Sequence, residues 1–88
     1  MNRQRRKDIE AAKKKVADAL ALIDEAIVDL EAVRDDEQEA RDNMPEALAE
    51  SEAAEKSDEA ISMLDDAINE LEAVDFDNAN DAMDEAAA

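Results

Sequence analysis

The stretch Arg41-Asp42-Asn43-Met44-Pro45-Glu46 decides the fold of this 88-residue chain, because it is the one place where a helical pattern must stop. Asn43 tolerates turn geometry. Pro45, the single proline, fits the first turn of a following helix, where its missing N–H has no intrahelical partner. Everywhere else the chain lacks glycine and threonine and is dominated by Ala, Glu, Asp, Lys and Leu, a composition that favours helix. A turn at 41–46 between two helices is the expectation.

Upstream of the turn a heptad runs through Ile9, Val16, Ile23 and Leu30, with Ala12, Ala19, Ala26 and Val33 at the next seam position. Leu20 and Ile27 widen the stripe, which predicts a helix from about 4 to about 40. Downstream, Ala54, Ile61, Leu64, Ile68 and Leu71, widened by Ala60, Ala67 and Val74, predict a second helix over about 46–74. Ser51 and Ser57 are both candidate caps for a restart, so an interruption near 49–52 is open. The apolar phase shifts at Asp75-Phe76-Asp77-Asn78. Asp77 reads as the N-cap of a short third helix, about 77–86, carrying Ala79, Met83 and Ala86.

These elements predict a single all-α domain over 1–88: an antiparallel helical hairpin with a short C-terminal third helix. Partner numbers summing to about 88 set Ile27 beside Ile61, Ile23 beside Leu64, Leu20 beside Ile68, Val16 beside Leu71 and Ala12 beside Phe76. The same register lays the basic start of the chain against the acidic stretch from Asp65 to Asp77. Apolar and ionic patterns thus agree on one arrangement. Twenty large apolar side chains contribute roughly 1.5–3 kcal/mol each if fully buried. Ordering the chain costs on the order of 1.5 kcal/mol per residue, so association is expected. Leu22, Val28 and Met63 point away from the seam and form the expected dimer face of a homodimeric four-helix bundle.

Charge is placed unevenly. Residues 1–15 hold seven cations against Asp8 and Glu10, whereas the remaining 73 hold 25 carboxylates against three cations. The first segment is net +5 and the rest net −22. Nucleic acid and anionic membranes are repelled by such a surface, and basic or nucleic-acid-binding proteins are attracted. With no cysteine there is no disulfide framework and no thiolate metal site. No apolar run reaches the length of a membrane span, and the expected location is the cytoplasm.

The segment Glu37-Gln38-Glu39-Ala40-Arg41-Asp42-Asn43-Met44-Pro45-Glu46, followed by Leu48 and Ser51-Glu52, resembles a stretch of small acidic helical proteins of phages and prophages. Those proteins pair a basic start like Met1-Asn2-Arg3 with acidic repeats similar to Leu64-Asp65-Asp66-Ala67-Ile68 and Leu71-Glu72-Ala73. The family carries no assigned activity. The resemblance therefore implies a setting, an accessory protein that meets host defence or nucleic-acid machinery, and no chemistry.

The residue inventory argues against catalysis. There is no His, Cys, Tyr, Thr or Trp, and Ser51, Ser57 and Ser62 have no histidine base. A di-iron site of the helical-bundle kind needs histidine. Asp75-Phe76-Asp77-Asn78-Ala79-Asn80-Asp81 has the outline of a calcium loop but lacks the required oxygen, glycine and glutamate, where Ala79, Asn80 and Ala86 stand. No metal or cofactor is expected, and no enzyme. Arg3–Lys7 reads as pairing with helix 2 rather than as a nucleic-acid arm, since no aromatic accompanies it.

The acidic surface remains. Val16 to Arg41 spans about 39 Å of helix, so the net −22 folded along it gives about one charge per 1.8 Å, close to duplex DNA. The expected function is interaction with a host nucleic-acid-binding or defence protein, of the anti-CRISPR or anti-restriction type, by nucleic-acid mimicry. Its expected partner-facing carboxylates are Asp29, Asp36, Glu55, Asp58, Asp66 and Glu70. The alternative is a structural or adaptor protein that docks through an apolar helix face, with the acid serving solubility alone.

Overall fold

The computed structural model describes all residues, 1–88. Three α-helices and one 3₁₀ turn make up the chain, with no strand: α1 (Arg3–Asp42), the 3₁₀ turn Glu46–Leu48, α2 (Glu52–Glu72) and α3 (Asp77–Ala87). Asn2 starts α1, its Oδ1 accepting the Arg5 N–H at 2.8 Å. The helix ends where the Asn43 N–H closes on the Glu39 carbonyl at 3.0 Å and Met44 on Arg41 at 3.3 Å. Pro45 is extended, with φ −57° and ψ 146°, and its carbonyl accepts the Leu48 N–H at 2.8 Å to open the 3₁₀ turn.

Ser51 caps α2. Its hydroxyl accepts the Ala54 N–H at 3.3 Å and donates to the Leu48 carbonyl at 2.6 Å, so the second helix begins at Glu52 rather than near 46. The expected interruption is thereby the start itself. Ser57 is no cap; it lies buried inside α2. Asp77 is likewise the first helical residue of α3 rather than its cap. Phe76 holds the cap position with no side-chain cap bond, while Asp75 Oδ1 accepts the Asp77 N–H at 2.8 Å, the two-residue reach of an aspartate turn.

The chain gathers into two compact units, Glu25–Ala73 and Met1–Asp24 with Val74–Ala88. In Glu25–Ala73 the buried residues are Ile27, Ala54, Ser57 and Ile68. Arg34 Nη1 meets Asp65 Oδ1 at 3.1 Å, Ser57 Oγ meets Glu37 Oε1 at 2.7 Å, and Arg41 Nε meets Asp58 Oδ1 at 2.8 Å. Of the two arginines, the later one on α1 meets the earlier aspartate on α2. Their numbers total 99 for both arginines and 94 for Glu37–Ser57, not 88. The expected register is off because the connection is longer than expected. Residues 43–51 separate the two helices, which moves the midpoint of the connection from about residue 44 to residue 47.

In the other unit, Lys13 on α1 pairs with Asp84 on α3. The half-buried side of α3 is Asn80, Met83 and Ala87, whereas Ala79 and Ala86 are exposed. Along α1, Ile9, Val16, Ile23 and Leu30 are half-buried as their heptad requires. Ala12, Ala19 and Val33 are exposed, because the buried stripe leans toward the column that holds Ile27, Arg34 and Arg41.

Candidate functional site

Between Glu25 and Ala73 the sequence places eighteen carboxylates against three cations. Every one of those cations is engaged. Arg34 bridges Asp35 and Asp65, Arg41 holds Asp58, and Lys56 reaches back one turn to Glu52. Fourteen carboxylates are left without an ion partner, and nothing cationic in the unit is left to offset them. At a spacing of one helical turn such groups repel one another, a cost borne by the fold.

Of the carboxylates expected to face a partner, Asp29, Asp36, Glu55, Asp66 and Glu70 are exposed and form no ion pair. Asp58 is different. Both of its oxygens take up the Arg41 guanidinium, at 2.8 Å from Nε and 3.3 Å from Nη2. It serves the internal structure of the unit and drops out of the free set. The hydrogen bond from Arg34 to Asp65 lifts that guanidinium above its ordinary value, against desolvation, with Asp35 adding to the lift. Both of its carboxylate partners thus favour the charged guanidinium.

Sequence reasoning gave Arg34, Arg41 and Glu37 no bonded role and offered Ser57 only as a cap, though a signal was there. Leu20, Ile27, Arg34 and Arg41 follow one another at intervals of seven, so both arginines occupy a column that begins as apolar. Ser57 stands in the same column as Leu64 and Leu71. A polar residue in a seam column is a bonded group in waiting, and each of these three has a partner on the opposite helix.

Leu22, Val28 and Met63 are exposed, at 65%, 65% and 58%. Leu22 and Val28 are six residues apart, which in any α-helix turns them about 120° from each other. One added helix layer covers one of them and not both. Each also has carboxylates at i−4, i+3 and i+7: Asp18, Glu25 and Asp29 for Leu22; Asp24, Glu31 and Asp35 for Val28; Glu59, Asp66 and Glu70 for Met63. The expected dimer face is therefore a set of single apolar side chains in acidic surroundings, not one apolar strip.

The basic start contributes one long-range pair, Lys13 with Asp84, which lies beyond the expected stretch ending at Asp77; Lys14 pairs with Asp18 on its own helix. Arg3, Arg5, Arg6, Lys7 and Lys15 form no ion pair. The Lys13–Asp84 hydrogen bond raises the lysine above its ordinary 10.5, opposed by desolvation and helped by the charges of Asp84 and Glu10. No group of three or more acidic side chains converges to hold a metal ion, and no helix is long and apolar enough to cross a membrane. No protein-family model, curated protein or solved structure matches the chain.

Proposed function

We propose that this chain is a cytoplasmic binding protein, without catalytic activity, whose carboxylate surface occupies a basic, nucleic-acid-binding surface on a host protein. The observation that carries the reading is the complete engagement of Arg34, Arg41 and Lys56, which leaves fourteen carboxylates of Glu25–Ala73 free of ion partners. A coat needed only for solubility requires far less charge than net −15 on 49 residues, and the excess costs stability. Inhibition of a defence or nucleic-acid-processing protein is the biological form of this reading, in keeping with the resemblance to phage proteins. In it the acidic part of the chain, Glu25–Ala73, works as an antiparallel helical hairpin. At moderate salt it works as a single copy, because a four-helix bundle built on Leu22, Val28 or Met63 sets carboxylates against carboxylates.

The adaptor reading draws on the exposure of those same three side chains. Charge reversal separates the two. Asp29, Asp36, Glu55, Asp66 and Glu70 are changed together to Lys, with Asp58 retained for Arg41. Under the proposed function, capture of basic nucleic-acid-binding proteins from host lysate is abolished while helicity by circular dichroism is kept. Capture that survives the reversal hands the function to the apolar side chains.

A further inference from the structure

We infer that the first two turns of α1 are a second binding surface, which enters the major groove of duplex DNA and holds its phosphates through Arg3, Arg5, Arg6 and Lys7. This surface lies outside Glu25–Ala73 and stands or falls apart from the proposed function.

Three observations lead there. Met1 to Asp8 are all exposed and Ile9 is the first half-buried position, so the helix begins clear of packed side chains. The four cations of this tip form no ion pair, although the chain holds 27 carboxylates. The fold draws little from them, because no carboxylate stands in the first turn and cations there oppose the helix dipole. They are also spread around the helix rather than set in one stripe. Arg3 and Lys7, four residues apart, share a side. Arg5 is two residues from each, about 200° around, and takes the opposite side, with Arg6 between.

Charge and shape together select the ligand. Residues 1–15 hold seven cations against two carboxylates. At about 0.1 M ionic strength charges act over about 10 Å, so the tip answers to this local balance rather than to the −17 of the whole chain. An anion is the fit, and the arc of cations sets its form. A bilayer, or the rounded outside of an acidic helix, offers one wall, which Arg3, Arg6 and Lys7 meet while Arg5 is left out. A groove offers two walls, and all four cations meet phosphates. The major groove of B-DNA is about 12 Å wide and about 8.5 Å deep. A helix with its side chains is about 10–12 Å across, and Arg3–Asp8 rises about 9 Å. The major groove of duplex RNA is too narrow for such a tip. Three of the four cations are arginines, whose forks match phosphate oxygens. The amides beside them are engaged, Asn2 with the Arg5 N–H and Gln4 with Asp8, so contact is with the backbone and is indifferent to sequence.

The test titrates the full chain into a labelled DNA duplex of mixed sequence, read by fluorescence anisotropy. With four phosphates neutralised, affinity is expected to fall about a hundredfold between about 50 mM and about 200 mM salt. Arg5→Gln is expected to lower the slope of log affinity against log salt by about one. Changing Arg3, Arg5, Arg6 and Lys7 together to Gln is expected to abolish binding. All four are exposed and unpaired, and circular dichroism checks that helicity is kept. An RNA duplex and vesicles of phosphatidylserine are expected to bind about tenfold more weakly than the DNA, the loss of one charge-assisted contact. No binding of DNA by the parent overturns the inference, and so does binding that survives in the quadruple variant. RNA or vesicles bound as tightly as DNA, or an Arg5→Gln slope equal to the parent's, mean that no two-walled DNA groove is needed and overturn it as well. Low-salt self-association in place of duplex binding, abolished in the quadruple variant, gives the cations to a second copy with the same consequence. Each of these results leaves the acidic-surface reading of Glu25–Ala73 untouched.

Discussion

Arg41 forks onto Asp58, with Nε 2.8 Å from one carboxylate oxygen and Nη2 3.3 Å from the other, while the same Nη2 donates to the Ala49 carbonyl at 3.2 Å. Arg34 and Asp65 repeat the pairing seven residues earlier on α1 and seven later on α2. Two arginines one heptad apart thus read two aspartates one heptad apart, a register different from the one the apolar pattern predicts. A slip by one turn parts both pairs at once.

Arg41→Ala is therefore expected to lower stability by about 1 kcal/mol, a figure kept small because Asp58 is largely solvent-facing. For a chain of this size that is a fall in Tm of about 4–8 °C by thermal circular dichroism. Arg41→Lys is expected to recover little, since an ammonium cannot fork. A Tm equal to the parent's in Arg41→Ala counts against the register role.

Ser57 is 5% exposed and donates to Glu37 Oε1 at 2.7 Å. Ser57→Ala leaves the half-buried Glu37 without its donor, and the expected loss is about 1–2 kcal/mol in chemical denaturation. Changing the pair together, Ser57→Ala with Glu37→Met, removes donor and acceptor and is expected to restore most of it. A double variant weaker than the single one contradicts this account.

The type and order of the elements were legible because periodicity and the proline reported them directly: Asn43 and Pro45 located the break, and Asp75–Asn78 the second. The register was not legible. It depended on residues 43–51, where the Ser51 cap and the 3₁₀ turn lengthen the connection, and no apolar period runs there. The carboxylates Asp29, Asp36, Glu55, Asp66 and Glu70 were readable as exposed from helix phase alone. Asp58 was not, because its difference from them is a single arginine across the seam. Arg34 and Arg41 were hidden by the habit of reading charged residues as solvent-facing, even where the heptad column said otherwise.

The Lys13–Asp84 pair makes an alkaline prediction. The folded-state value of Lys13 is raised above its ordinary 10.5, so the folded state holds that proton more tightly than the unfolded chain. Its contribution is fully present below the unfolded value and is lost as pH rises through the raised folded one. Helicity melts between about pH 9 and pH 12 are expected to show a fall in Tm that Lys13→Met flattens. An unchanged alkaline slope in Lys13→Met removes the pair from the account of stability.

The last prediction concerns association, where burial and charge pull in opposite directions. Only Ile27 and Ile68 of the twenty large apolar side chains are buried, which favours assembly. The carboxylates spaced around Leu22, Val28 and Met63 oppose it, and their reach is set by salt. At about 0.1 M ionic strength charges act over about 10 Å, enough for facing rims to repel; at 1 M the reach falls to about 3 Å and the apolar term is left unopposed. Light scattering is therefore expected to give a mass of 9.6 kDa at the lower salt and to rise toward a dimer at the higher. Leu22→Glu, which removes one apolar contact and adds a charge to the same rim, is expected to weaken the high-salt dimer. The opposite trend, a dimer at low salt that salt disperses, means that the copies meet through ion pairs. In that case the unpaired Arg3, Arg5, Arg6 and Lys7 are the cations to test next, for no other cluster in the chain has positive charge to spare.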